Sequence, residues 1–399
     1  MTRLPPLPTS SAIRRRSLFA ACGAHAVHDG LTDVLYVLLP LWQAQFGMSY
    51  AMVGLLRGAY AGTMAGFQLL ASRAARRWGQ KTLLVGGTAL AGLAYLIAGQ
   101  ATSLAVLFCA LLLGGLGAST QHPLAASLVS DTHDTGGGMK QALSHYNFSG
   151  DVGKALIPGM LGSLLVLASW QTSVTLLGLL GMGAAAVLWW LIPPAQHTAP
   201  PANAAGAGAG SGSASGLRAL LMTGTLDTAV RMGFLTFLPF ILQGRGAGTA
   251  GIGMALSLLF VGGAFGKLAC GYLGARIGMM KTVWLTESVT ALLIVLSLWL
   301  PLAGVMALLP LLGLVLNGTS SVLYGTVPEL AAPGRREQAF ALFYTGVIGG
   351  GALAPILFGA LGDAMGIKPA LYALAAITLL TLPLSWHVRQ ALHALELGH

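Results

Sequence analysis

The chain has 399 residues, of which 55% are hydrophobic and only 8% charged. Soluble domains carry about 25% charged residues, so an ordinary soluble protein is excluded. The 56 glycines follow no Gly-X-Y period, which excludes collagen. A net charge of +10 raises nucleic acid as a partner, but the placement of the basic residues answers otherwise.

In chain order, a basic segment (1–17) ends in Arg14, Arg15 and Arg16. Six apolar stretches of spanning length follow, at about 18–42, 50–73, 82–101, 104–130, 139–167 and 170–192. Residues 193–217 are rich in Pro, Ala, Gly and Ser and read as a flexible linker. Six more spans are predicted at about 218–243, 250–275, 281–301, 303–328, 337–362 and 368–389, and 390–399 is a tail. Each span must be helical, because a backbone in lipid has to satisfy its own hydrogen bonds.

The two sixes repeat. Pro40 and Pro239 stand 199 residues apart, as do Gly79 and Gly278; Pro158 and Pro355 are 197 apart, as are Gly162 and Gly359. A parallel repeat of six helices is one of the two repeat types of secondary transporters. The predicted domains are therefore a six-helix bundle over 18–192 and a second over 218–389. With both ends inside, 15 of the 21 basic residues fall on the cytoplasmic side, two outside (Arg245, Lys368) and four within spans. That asymmetry orients the chain and accounts for its charge without nucleic acid. The three cysteines lie in apolar stretches without paired spacing and read as small buried side chains.

An ionisable residue within a span is a functional candidate. The first span carries His25, His28, Asp29 and Asp33; His25, Asp29 and Asp33 share one helix face at four-residue spacing. Two like charges in low dielectric are relieved by taking up a proton, so Asp29 and Asp33 are candidates for proton coupling, with Asp151 of the fifth span. The fifth span also carries His145 and Lys154, and Lys154 is placed to neutralise one of these carboxylates. His122 precedes Pro123 in the fourth span, and Asp227 and Arg231 stand four apart in the seventh. Arg57 and Lys267 lie near enough to span ends to snorkel. Glu287 is placed near a cytoplasmic end and is set aside. His25, His28, Arg57, His122, His145, Lys154, Asp227 and Arg231 are thus candidates for solute contact or counter-ion roles. The histidines lack any tight ligand spacing, so no metal is expected. Four-spaced glycines at 54, 58, 62 and 66 predict close helix packing. No phosphate-binding loop, nucleophile elbow or HExxH motif is present, so no enzyme and no cofactor is expected.

Twelve predicted helices in two repeated sixes with a central linker resemble the major facilitator superfamily. Its loop signature between spans two and three, G-x-L-a-D-R-x-G-R-K, is matched in part by Ser72–Lys81 and, in the second half, by Gly271–Gly278. Both copies lack the acid, at Arg76 and Ala275. The resemblance implies a gate at Arg76, Arg77, Gly79, Lys81, Arg276 and Gly278. Ala24–Asp29, Leu39–Gly47, Gly117–Pro123 and Gly150–Pro158 are more narrowly similar to the fosmidomycin-resistance-type efflux carriers, with Asp151 and Lys154 as charged departures. The family likeness places spans one, four, seven and ten around the cavity and makes a monomer the default.

The expectation is an all-α multi-pass protein of a bacterial inner membrane, with cytoplasmic termini. Its partners are a small-molecule solute, protons and the lipid bilayer, with proton-coupled export by alternating access as the activity. Import of a small organic anion and a sensor that moves nothing are the alternatives.

Overall fold

A computed structural model describes residues 10–133, 138–192, 212–332 and 335–397. Residues 1–9 of the predicted N-terminal segment, 193–211 of the linker and 398–399 of the tail lie outside the described residues.

The described residues form helices and short turns. Twelve helices follow one another: α1 (Ser10–Phe46), α2 (Tyr50–Trp78), α3 (Gln80–Gly99), α4 (Leu104–His133), α5 (Met139–Leu167), α6 (Trp170–Leu191), α7 (Ala214–Gln243), α8 (Thr249–Ile277), α9 (Met279–Trp299), α10 (Leu302–Leu330), α11 (Arg336–Met365) and α12 (Ile367–Leu397). Ten are long and apolar enough to cross a membrane. The other two, α1 and α2, are long enough but carry the arginine runs and the polar residues singled out above.

Two helices break one turn before a proline. In α4 the helix is interrupted between Ala118 and Gln121. Pro123 has no N–H to give the Ser119 carbonyl four residues back. At the break the Ser119 and Thr120 hydroxyls donate to the carbonyls of Leu116 (2.7 Å) and Gly117 (3.0 Å). His122 therefore sits immediately after a break, which sets its direction. Pro383 acts alike in α12, where the break falls between Thr378 and Thr381.

The repeat has a conformational signature. Gly79 ends α2 and leads into α3 at φ 85°, ψ 143°; Gly278 ends α8 and leads into α9 at φ 83°, ψ 160°. Only glycine adopts this region without strain, so one turn is built twice, 199 residues apart.

The chain divides into two compact units. One comprises Met1–Asp33, Gly66–Ile157 and Ser169–Thr198; the other comprises Val34–Ala65, Pro158–Ala168 and Ala199–His399. Helices α1, α2 and α5 contribute to both. In the first unit α3 packs along α6 and α4, over a core that includes Ala20, Ala24, Leu84, Leu128, Tyr146 and Leu188. In the second, α8 packs along α10 and α7 along α11. Lipid tails are as apolar as leucine, so these contacts depend on close packing. Accordingly, a Cβ on Gly262 or Gly266 of α8 would meet the α10 carbonyls of Pro310 and Leu314. The glycine stripe of α2 packs closely only at Gly54 and Gly58, against Pro355 and Ala352 of α11; at Gly66 nothing lies within 4 Å.

Candidate functional site

In the first unit, α1 supplies His25, His28 and Asp29, all buried. Helix α5 lies against this face of α1 because Gly150 and Gly153 let it. A Cβ on Gly150 would stand 2.6 Å from Asp29 Oδ2, and one on Gly153 would strike the Ala26 carbonyl. One helical turn to either side of Gly150, α5 places Tyr146 and Lys154. The Tyr146 ring stacks on His25, centroids 4.1 Å apart. Lys154 Nζ reaches Asp29 Oδ2 at 3.2 Å.

Asp29 is the centre of this cluster. Its Oδ2 faces Lys154 Nζ and His25 Nε2 (3.3 Å); its Oδ1 faces His28 Nε2 and His122 Nε2, each at 3.8 Å. Three imidazoles and one ammonium thus converge on one carboxylate. Among the first-span acids, Asp29 is the one that Lys154 reaches within ion-pair distance. Asp33 and Asp151 are also buried and act electrostatically on Lys154.

The His25 ring has a defined polarity. Its Nδ1 stands 2.8 Å from the Tyr146 carbonyl oxygen. A carbonyl can only accept, so Nδ1 carries the hydrogen. Nε2 then meets Asp29 either as the N–H of an imidazolium or as a lone pair that needs a cation between it and the carboxylate. His25, Asp29 and His122 offer ligand atoms that all lie within 4.8 Å of one another, a set able to hold a metal ion. No ligand spacing in the sequence announces it, because the donors come from two helices.

His145 is not in this cluster; it lies on an exposed face of α5, one residue before the buried Tyr146.

The second unit holds two further charged groups. Arg57 does not snorkel: it is 3% exposed. Its Nη2 donates to the Tyr36 hydroxyl at 2.9 Å and its guanidinium lies 4.9 Å from the Tyr36 ring centroid. The Tyr36 hydroxyl donates to Met232 Sδ at 3.3 Å. The amphipathic tyrosine offers both an acceptor and a π face, which removes the need to reach water.

Asp227 and Arg231 form the predicted pair, at 4.0 Å, and Arg231 also donates to Thr228 (3.1 Å) and Ser320 (3.4 Å). Glu287, set aside from sequence, belongs here. It is 2% exposed and lies beside Asp227 and Thr319. A signal for this existed in the sequence: Thr282, Thr286 and Thr290 stand four apart beside Glu287, and all are buried. That is a polar stripe on an otherwise apolar helix. Asp227 also stands 198 residues after Asp29, so each repeat buries one aspartate at the same place in its first helix.

The residues of the loop signature lie at helix ends. Arg76 and Arg77 are exposed, Lys81 lies over the Trp189 ring (4.7 Å) and Arg276 over Tyr272 (4.5 Å). Gly79 and Gly278 make the turns described above.

The family model of the Major Facilitator Superfamily matches residues 21–309 and 220–391. A cephamycin export protein of Amycolatopsis lactamdurans is 32% identical over 149 residues, which are 37% of this chain. The match spans 30% of that relative's length. Among solved structures, a bacterial homologue of the human lysosomal transporter Spinster, inward-facing and occupied, superposes with a TM-score of 0.79. It shows 16% identity and covers 95% of this chain and 97% of its own. The same homologue in an unoccupied form gives 0.79 at 14% identity, covering 96% and 98%. At these identities the likeness is one of fold.

Proposed function

The chain belongs to the major facilitator superfamily, and we propose that within it this multi-pass membrane protein exports a small organic solute in exchange for protons. It works by alternating access, with the six-helix halves 18–192 and 218–389 as the moving bodies. It acts as a monomer in a bacterial inner membrane, both termini cytoplasmic. The fold belongs to carriers of small solutes and not to enzymes.

The buried Asp29–Lys154 ion pair carries this reading. Charges in a span are expensive and are kept where an ion or solute passes. The relative named an export protein supports the direction, and the positive-inside bias supports the orientation.

Asp29, Asp33 and Asp151 are the carboxylates proposed to exchange the proton, joined by the Asp227–Glu287 pair. Solute contact and counter-ion roles fall to His25, His28, His122, Lys154, Asp227 and Arg231. Arg57 positions Tyr36. Arg76, Arg77, Gly79, Lys81, Arg276 and Gly278 make the gate.

The test is a toxicant panel in an efflux-deficient bacterium expressing wild type, Asp29→Asn or no carrier at matched membrane levels. Protection by wild type that is lost in Asp29→Asn supports export. Sensitisation to an anionic compound would reverse the direction, and protection against nothing would remove the export reading.

A further inference from the structure

We propose that His25, His122 and the Asp29 carboxylate, whose ligand atoms lie within 4.8 Å of one another, form a binding site for one divalent transition-metal ion of the zinc class, with His28 Nε2, 3.8 Å from Asp29 Oδ1, as a fourth donor. The site lies wholly in the first unit and uses Asp29 and histidines already proposed for transport, but it is argued from their geometry and not from the direction of transport.

The donor set comes first. Three imidazole nitrogens and one carboxylate oxygen suit borderline first-row ions and not calcium or magnesium, which take oxygen. All three imidazoles present the same atom, Nε2, to one carboxylate.

Spacing comes next. With bonds of about 2.0–2.1 Å, neighbouring ligands of a tetrahedral zinc stand roughly 3.4 Å apart. The separations from Asp29 to His25, His28 and His122 are 3.3, 3.8 and 3.8 Å. The His28 and His122 rings meet edge to face at 4.8 Å, and those of His25 and His122 at 5.3 Å.

The surroundings also fit. A metal-bound histidine commonly donates its other N–H to a carbonyl, and His25 Nδ1 already does so to Tyr146. That bond leaves Nε2 as the atom turned to Asp29, where a cation resolves the meeting of lone pair and carboxylate. His28 Nε2 is an independent sign. It is buried and makes no hydrogen bond, although His28 is only 8% exposed and unsatisfied buried polar atoms are costly. An ion bound to Nε2 satisfies it.

Lys154 opposes the site without blocking it. The ammonium shares Oδ2 with His25 Nε2, while His28 and His122 face Oδ1. The ion sits among the three imidazoles beside the carboxylate, and Lys154 remains its cationic neighbour. The two cations repel each other, so Lys154 sets the affinity.

The experiment uses the full chain without a polyhistidine tag, purified in detergent, stripped of metal and titrated with Co(II). The readout is the visible ligand-field absorption of four-coordinate cobalt, followed by its loss on adding Zn(II). One equivalent is expected to saturate wild type. His28→Ala and His122→Ala should each bind at least about tenfold more weakly, while His393→Ala binds like wild type. Lys154→Met should bind about tenfold more tightly, through loss of a like charge a few ångströms away, a gain no folding defect produces. Absence of a saturable band, or a band that His28→Ala and His122→Ala leave unchanged, overturns the site. Lys154→Met binding no more tightly than wild type overturns its placement at Asp29. None of these results depends on transport, so failure here is distinct from failure of the export reading.

Discussion

Lys154 Nζ of α5 lies 3.2 Å from Asp29 Oδ2 of α1, and two glycines make that approach possible. A hundred and more residues of chain separate the two charges, so their pairing is a product of helix packing.

Removing one partner leaves the other unpaired. Asp29→Asn is expected to cost stability toward the low end of about 3–5 kcal/mol, since the Lys154 side chain keeps 30% exposure. The double variant Asp29→Asn/Lys154→Met should recover most of the loss without recovering transport. Thermal unfolding in detergent, run beside a vesicle transport assay, separates the two effects. A double variant as unstable as Asp29→Asn would show that the ion pair is not what holds the helices.

Helix approach is tested by adding a methyl group. Gly153→Ala would strike the Ala26 carbonyl and Gly150→Ala would crowd Asp29 and His25. Each is expected to cost about 1–3 kcal/mol by overpacking and to lower transport by parting Lys154 from Asp29. Gly86→Ala, with nothing within 4 Å of the new Cβ, should leave the melting temperature and transport unchanged.

Glu287→Gln should keep the size and polarity of the side chain beside Asp227 while removing an ionisable group. Solute binding is expected to persist and acid-driven exchange to fall at least about tenfold, the size of effect a positioned proton-transfer group has elsewhere. A pH-sensitive dye enclosed in proteoliposomes reads the proton flow. Wild-type proton flow in this variant would remove the Asp227–Glu287 pair from the coupling.

The two matched turns make a symmetric expectation. Gly79→Ala and Gly278→Ala force a Cβ into positive φ, at about 1–3 kcal/mol each. Melting temperatures of the two variants should drop by similar amounts. A loss at only one would show that the repeat is conformational without being energetic.

The sequence by itself determined the twelve helices and the identity of most of the buried charges, and it proposes two repeats. Hydropathy, a near-constant offset and the scarcity of charge are properties of the chain alone, and lipid permits only one backbone solution for such segments. Helical periodicity also placed His25 with Asp29 and Asp227 with Arg231, because neighbours within one helix follow from spacing.

Contacts between helices were decided only by the tertiary structure. Whether Lys154 meets Asp29 or Asp151, whether His122 enters the cluster while His145 turns away, and whether Glu287 is buried all depend on helix register. That register is set by where small residues and proline breaks let backbones approach. Gly150, Gly153 and Pro123 are ordinary in the sequence of a membrane protein. In the folded chain they bring three histidines and a lysine to one aspartate.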